Sequence, residues 1–168
     1  MSHAPPIAPL LDHLTTSLRT LLSERGETSP LMVGIHTGGA WIAADLHRRL
    51  ELTEPLGTLD IAFYRDDFSS RRLNPQVKPS YLPVPVEDRC VILVDDVIFS
   101  GRTIRAAMNE IFDYGRPASI VLATLIDRGG RELPIAPDAV GERLALPPGR
   151  QIKLRGPDPL ELVVEEQT

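Results

Sequence analysis

The stretch Val91–Thr103, VILVDDVIFSGRT, constrains this chain more than any other. Val91–Val94 is a continuous apolar run, the pattern of a strand buried on both faces in the middle of a parallel sheet. Two adjacent carboxylates, Asp95 and Asp96, close it, and Phe99-Ser100-Gly101-Arg102-Thr103 leads straight into a helical pattern over Thr103–Tyr114. Open α/β sheets bind ligands at the carboxyl ends of their strands. Gly101 lets the backbone approach a ligand closely, Ser100 and Thr103 offer hydroxyls, and the free N–H groups of a helix start attract an anion. Phosphate on the helix start and sugar hydroxyls on the carboxylates together describe a site for a phosphorylated ribose. The G-x-x-x-x-G-K-[ST] loop and the G-x-G-x-x-G dinucleotide fingerprint are both absent.

The rest of the chain supplies a frame for that segment. Leu10, Leu11, Leu14, Leu18, Leu21 and Leu22 recur at helical spacing, which predicts an amphipathic helix over 10–25 ended by Gly26. Leu31–Ile35 reads as a strand, HTGG at 36–39 as a glycine turn, and Ala40–Leu50 as a helix with Ile42, Leu46 and Leu50 on one face. Thr58–Tyr64 alternates like a strand, Ser119–Ile126 is a second buried one, and Gln151–Leu154 and Leu160–Val164 are short C-terminal candidates. Residues 65–85 carry charges, serines and prolines without periodicity, a long loop of the kind that often has a function. Prolines at 5, 6 and 9 predict an extended tail over 1–8. Trp41 reads as a packing residue of its helix or of a subunit contact.

Alternating strands and helices in 168 residues, 42% of them apolar, predict one α/β domain over 1–168 with a mostly parallel central sheet flanked by helices. No apolar run reaches the roughly 20 residues that span a bilayer, so no membrane partner is expected. The N-terminus MSHAPPIAP has neither the charged start nor the apolar stretch of a secretory signal, which predicts a cytoplasmic protein. The single Cys90 opens an apolar strand and reads as a buried thiol, with no second cysteine to pair. The net charge of −5 argues against a protein wrapped in nucleic acid but leaves room for a local basic patch. All but two of the 18 basic residues are arginine.

The 91–103 segment resembles the PRPP (phosphoribosyl pyrophosphate) motif of type I phosphoribosyltransferases. Read together, LDIAFYRDDFS at 59–69, VILVDDVIFSGRTIRAAM at 91–108, GRPASIVLATLIDRGGRELPI at 115–135 and GIHTGGAWIA at 34–43 are similar to one family among them. That family comprises the bifunctional regulators of pyrimidine operons that are also uracil phosphoribosyltransferases. The resemblance covers roughly residues 10–165, and DRGGRELPI is its most particular part.

The resemblance implies the type I phosphoribosyltransferase fold, with 65–85 as a flexible hood loop closing over PRPP. It implies the reaction of uracil with PRPP to give UMP and pyrophosphate, with Mg²⁺. Asp95 and Asp96 would hold the ribose hydroxyls and favour positive charge at the anomeric carbon. Ser100, Gly101, Arg102 and Thr103 would hold the 5-phosphate, with Val97, Ile98 and Phe99 in the same PRPP-binding run, and Thr37, Gly38 and Gly39 would hold the pyrophosphate. Arg71 and Arg72 would clamp the leaving pyrophosphate from the hood, with Arg65 at its base. No residue is expected to ligate the metal directly: Mg²⁺ would ride on PRPP oxygens, with Asp66 or Asp67 reaching it through water. Purine enzymes of the fold carry an acid where Phe99 stands, so the aromatic favours uracil, with Ile126 packing on the ring and Arg128 donating to a carbonyl.

Two departures stand out. The family turn commonly reads T-R-G, and Gly38 replaces the arginine; the family run commonly reads R-G-H-R-E-L-P, and Gly130 replaces the histidine. The family's second activity is UMP-dependent attachment to the mRNA leader of pyrimidine genes. Its candidate contacts here are His13, Arg19, Arg25, Arg131 and Arg143. Three readings therefore stand at this stage: an enzyme that also regulates, an attenuator that keeps the pocket mainly as a sensor, and a type I enzyme for another base. The family implies a homodimer or higher homo-oligomer.

Overall fold

Leucines spaced by three and four residues build the first element, α1 (Ile7–Glu24), in the computed structural model, which describes residues 3–61 and 80–168. Leu10, Leu11, Leu14, Leu18 and Leu22 form its buried stripe. The helix starts earlier than the leucine pattern suggests, so the expected extended tail ends at Pro6 rather than residue 8. Pro9 is no obstacle, because first-turn N–H groups have no intrahelical acceptor to lose. At the other end Gly26 takes a left-handed φ of 66°, and the Glu27 N–H returns to the Leu22 carbonyl at 2.9 Å.

The order then runs β1 (Leu31–Ile35), α2 (Gly38–Arg49), β2 (Gly57–Leu59), β3 (Cys90–Ile98), α3 (Arg102–Tyr114), β4 (Ser119–Asp127), β5 (Ala139–Arg143), β6 (Arg150–Arg155) and β7 (Glu161–Glu166). Strands β1 to β5 form one parallel sheet in the order β2-β1-β3-β4-β5; β6 and β7 pair antiparallel as a separate hairpin.

Helices α1 and α2 and the hairpin cover one face of the sheet, where Leu14, Leu18, Ile42 and Leu46 meet Ile92, Val94, Val121 and Leu125, with Ile152 and Leu162 from the hairpin. Helix α3 and Val86 cover the other, where Ile104, Ala107 and Ile111 meet Val33, Leu59, Val91 and Leu93. Full burial of each large aliphatic side chain contributes about 1.5–3 kcal/mol. Cys90 is a buried free thiol, as expected. The Trp41 ring of α2 lies against Gly156 in the hairpin's turn.

Three elements differ from expectation. β2 stops at Leu59 because the Asp60 N–H turns to the Ser80 hydroxyl at 3.2 Å, which itself donates to Glu110 of α3. The remainder of the expected 58–64 strand, most of the hood loop, and Arg65, Asp66, Asp67, Arg71 and Arg72 lie outside the described residues. β3 does not end at Val94: β4 offers it a ladder as far as Ile98↔Asp127, so both acidic residues are strand residues. β5, AVGER, has no apolar run to announce it and exists by pairing with β4.

Candidate active site

In a sheet ordered 2-1-3-4-5 the connections leave in opposite directions at β1 and β3, and the crevice between their carboxyl ends is where ligands bind. Both flanking loops here lead into helices. Helix α2 begins at Gly38 after Thr37, and α3 begins at Arg102 after Gly101, whose φ of 94° only glycine adopts at low cost. Neither helix has a side-chain cap or an acidic residue in its first turn. Two helix starts whose first-turn N–H groups have no intrahelical acceptor thus flank one crevice, each an anion site; of these groups the Arg102 N–H is taken by the Ser100 hydroxyl.

The acidic pair sits between them. Asp95 is buried, 6% exposed, and its Oδ1 accepts from the Asp96 N–H at 2.9 Å. Asp96 Oδ1 accepts from the Val97 N–H at 2.8 Å, while Oδ2 faces the Gly38 backbone, where any Cβ would collide with it. Gly39 packs closely against the Val94 carbonyl and Asp95 Cα. The two glycines therefore let the start of α2 approach the acidic end of β3.

A cleft of about 520 Å³ opens beside the α3 start. It is lined by Asp95 and the run from Val97 to Ile104, and from distant segments by Arg128, Gln151 and Gln167. Asp96, Thr37, Gly38 and Gly39 lie at the α2 side and do not line this cleft. Ser100 is well fastened: its carbonyl accepts from the N–H groups of Glu132 at 2.9 Å and Leu133 at 3.2 Å, and its hydroxyl accepts from the Arg102 N–H at 3.2 Å. The Arg102 guanidinium pairs with Glu132 at 3.1 Å on the surface.

At the Arg128 end of the cleft, that residue's guanidinium stacks on the Phe99 ring at 4.3 Å from the centroid and donates to the Arg150 carbonyl at 3.4 Å. Phe99 is 45% exposed. Ile126 does not serve as expected. It is fully buried and paired with Val97 inside the sheet, because β4 runs on to Asp127. Arg131 is also differently placed from the other proposed nucleic-acid contacts. It reaches into the site, donating to the Phe99 carbonyl and to Asp127 Oδ2, both at 2.7 Å. Burial opposes ionisation of Asp127, but bonds from Arg131 and the Gly129 N–H, with the charges of Arg131 and Arg143, outweigh it and hold the carboxyl below the ordinary range.

His13 and Arg19 lie exposed on α1 and Arg25 at its end; Arg143 stands on β5, the strand packed against that helix. Arg19 donates to the Arg49 carbonyl at 3.2 Å, and Arg25 lies 3.8 Å from Asp138. Gln151, Gln167 and Ile104 were not anticipated as lining residues. Ile104 reads as helix core, and no local pattern announces that the last hairpin returns to the cradle.

The Phosphoribosyl transferase domain model matches residues 6–143. Among solved structures, a hypoxanthine-guanine phosphoribosyltransferase from Bacillus anthracis superposes with a TM-score of 0.68 at 18% identity, covering 89% of this chain and 86% of that one. The hypoxanthine phosphoribosyltransferase of Trypanosoma cruzi gives 0.66 at 17% identity, covering 86% and 82%. The chain belongs to the phosphoribosyltransferases of this fold. Within them it belongs to the PyrR family: it is 53% identical over 161 residues to the bifunctional protein PyrR of Nitrosococcus oceani, spanning 95% of this chain and 91% of that protein. It is 56% identical over 158 residues to the bifunctional protein PyrR of Pseudomonas aeruginosa, spanning 94% and 93%.

Proposed function

We propose that the protein transfers the phosphoribosyl group of PRPP to uracil, giving UMP and pyrophosphate, and that it also regulates pyrimidine genes by UMP-dependent binding to their mRNA leader. The observation that carries the enzymatic part is the pair Asp95–Asp96 set between two uncapped helix starts at one sheet edge. In this reading the α3 start, with Ser100, Gly101, Arg102 and Thr103, binds the 5-phosphate. Asp95 and Asp96 hold the ribose hydroxyls, and their charge favours the cationic anomeric carbon of the transition state. The α2 start at Thr37, Gly38 and Gly39 receives the pyrophosphate, helped by Arg71 and Arg72.

Among the described residues no three His, Cys, Asp or Glu side chains stand together as a metal cage. Asp95 and Asp96, beside the two helix starts, would face a cation carried on PRPP oxygens. Bound with PRPP, Mg²⁺ would supply charge neutralisation at the leaving pyrophosphate.

The base lies in the cleft against Phe99 and Arg128. An aromatic platform with a guanidinium gives a flat imide ring a stacking face and a donor for a carbonyl oxygen. We read the chain as a single domain, cytoplasmic and homo-oligomeric. The regulatory function uses a face including His13, Arg19, Arg25 and Arg143.

Pyrophosphate release from PRPP and Mg²⁺ with uracil, hypoxanthine or guanine tests the enzyme. Turnover is expected with uracil and lost in Asp95→Asn/Asp96→Asn with the fold intact; a purine preference would overturn the assignment. For the regulator, leader RNA is titrated with and without UMP across salt concentrations. Binding is expected to strengthen with UMP and weaken with salt; binding indifferent to UMP would remove the regulatory half.

A further inference from the structure

We infer that Arg131 is the positioning residue of the base half of the cleft: it fixes where the Phe99 ring and the Arg128 guanidinium stand without touching substrate itself. The inference rests on the functional reading above for its substrate and on the geometry alone for its mechanism. One guanidinium spans two elements. Its Nη1 donates to the Phe99 carbonyl at the end of β3 and its Nη2 to Asp127 at the end of β4, each at 2.7 Å. Asp127, 7% exposed, also accepts from the Gly129 N–H at 2.9 Å, so the carboxylate ties the guanidinium and the turn at 129–130 together. That turn is what the Phe99 ring rests on. At Gly130, φ is +77° and any Cβ would enter the ring. Above the same ring lies Arg128. Phe99 is thus held from its backbone by Arg131, with Gly130 against its ring and Arg128 over one face.

The phosphate half is fastened separately. The two N–H groups on the Ser100 carbonyl and the Arg102–Glu132 pair use no polar atom of Arg131, which meets the α3 start only by packing its Cδ beside Gly101, a contact that methionine keeps. Loss of the Arg131 side chain therefore loosens the base platform and leaves the phosphate cradle in place. Lysine supplies one point charge and cannot span both acceptors, so Arg131→Lys keeps the pairing with Asp127 and loses the bond to Phe99.

The test is the split between the two Michaelis constants. Arg131→Met should raise KM for uracil roughly tenfold or more, the scale of one charge-assisted hydrogen bond, with KM for PRPP changed less than about twofold. Arg131→Lys should fall between wild type and Arg131→Met, and carries the test alone should the methionine variant not fold. A rise in both constants by the same factor, or in neither, overturns the inference. Calorimetric titration with UMP, IMP and ribose 5-phosphate separates it from the functional reading. If wild type does not turn over uracil, the substrate assignment falls. The clamp then stands on a selective loss of nucleotide over ribose 5-phosphate affinity in the variants, and falls on an equal loss or none.

Discussion

The Asp96 carboxylate occupies the space where a side chain on residue 38 would begin. The contact joins the two loops of the crevice, and it gives Gly38 a physical reason that the missing arginine of the T-R-G turn did not. Gly38→Ala should cost little stability, since no strained φ is involved and only a carboxylate must swing away. It should displace a ribose ligand, raising KM for PRPP by about tenfold, the effect of one strong hydrogen bond. Steady-state kinetics beside thermal melts check this, and an unchanged KM would contradict the assignment of Asp96.

Gly130 meets the Phe99 ring in the same manner, with a left-handed backbone in addition. Gly130→Ala should therefore lose both stability, about 1–2 kcal/mol by urea denaturation, and base affinity. Stability loss with unaltered uracil kinetics would show that the ring has no part in base binding.

The Asp127 carboxyl, held below its ordinary range, makes stability depend on pH. The folded state binds this proton less readily than the unfolded chain does. Its contribution is therefore complete above the unfolded value of about 3.9 and disappears as pH falls through the lower folded value. Asp127→Asn should be less stable than wild type near neutrality, with the gap narrowing in denaturant titrations across the acid window that opens below about pH 4. A gap that stays constant through that window would assign the loss to something other than the charge.

Leu14, completely buried between α1 and the sheet, tests the core. Leu14→Ala should lower unfolding free energy by about 2–5 kcal/mol, with the denaturant slope unchanged.

The long apolar segments were legible because their periodicity is local. Val91–Val94 and Ser119–Ile126 were readable as central strands and the leucines of α1 as a helix stripe, each displaced only at its ends. The cradle was legible for the same reason: strand, acids, glycine and helix start are consecutive in the chain. What escaped is made by contacts between distant segments. β5 is a strand because β4 supplies its partners, and β3 reaches past its acids because β4 runs on beside it. Ile126 reads as a loop neighbour until Val97 is seen paired with it. Arg131, one arginine among many, is distinguished only by facing Phe99 and Asp127 across a turn, and Gln151 and Gln167 only by the return of a hairpin.

That hairpin hydrogen-bonds to its own partner strand and stands apart from the five-stranded sheet, yet it supplies one wall of the cleft. One part of the cleft lining is consequently carried by a piece of chain separate from the sheet that holds Asp95 and the α3 start. Drift in the last twenty or so residues, about one supersecondary unit, can therefore reshape the cleft at Gln151 and Gln167 while the strand and helix start that hold its other residues are inherited unaltered.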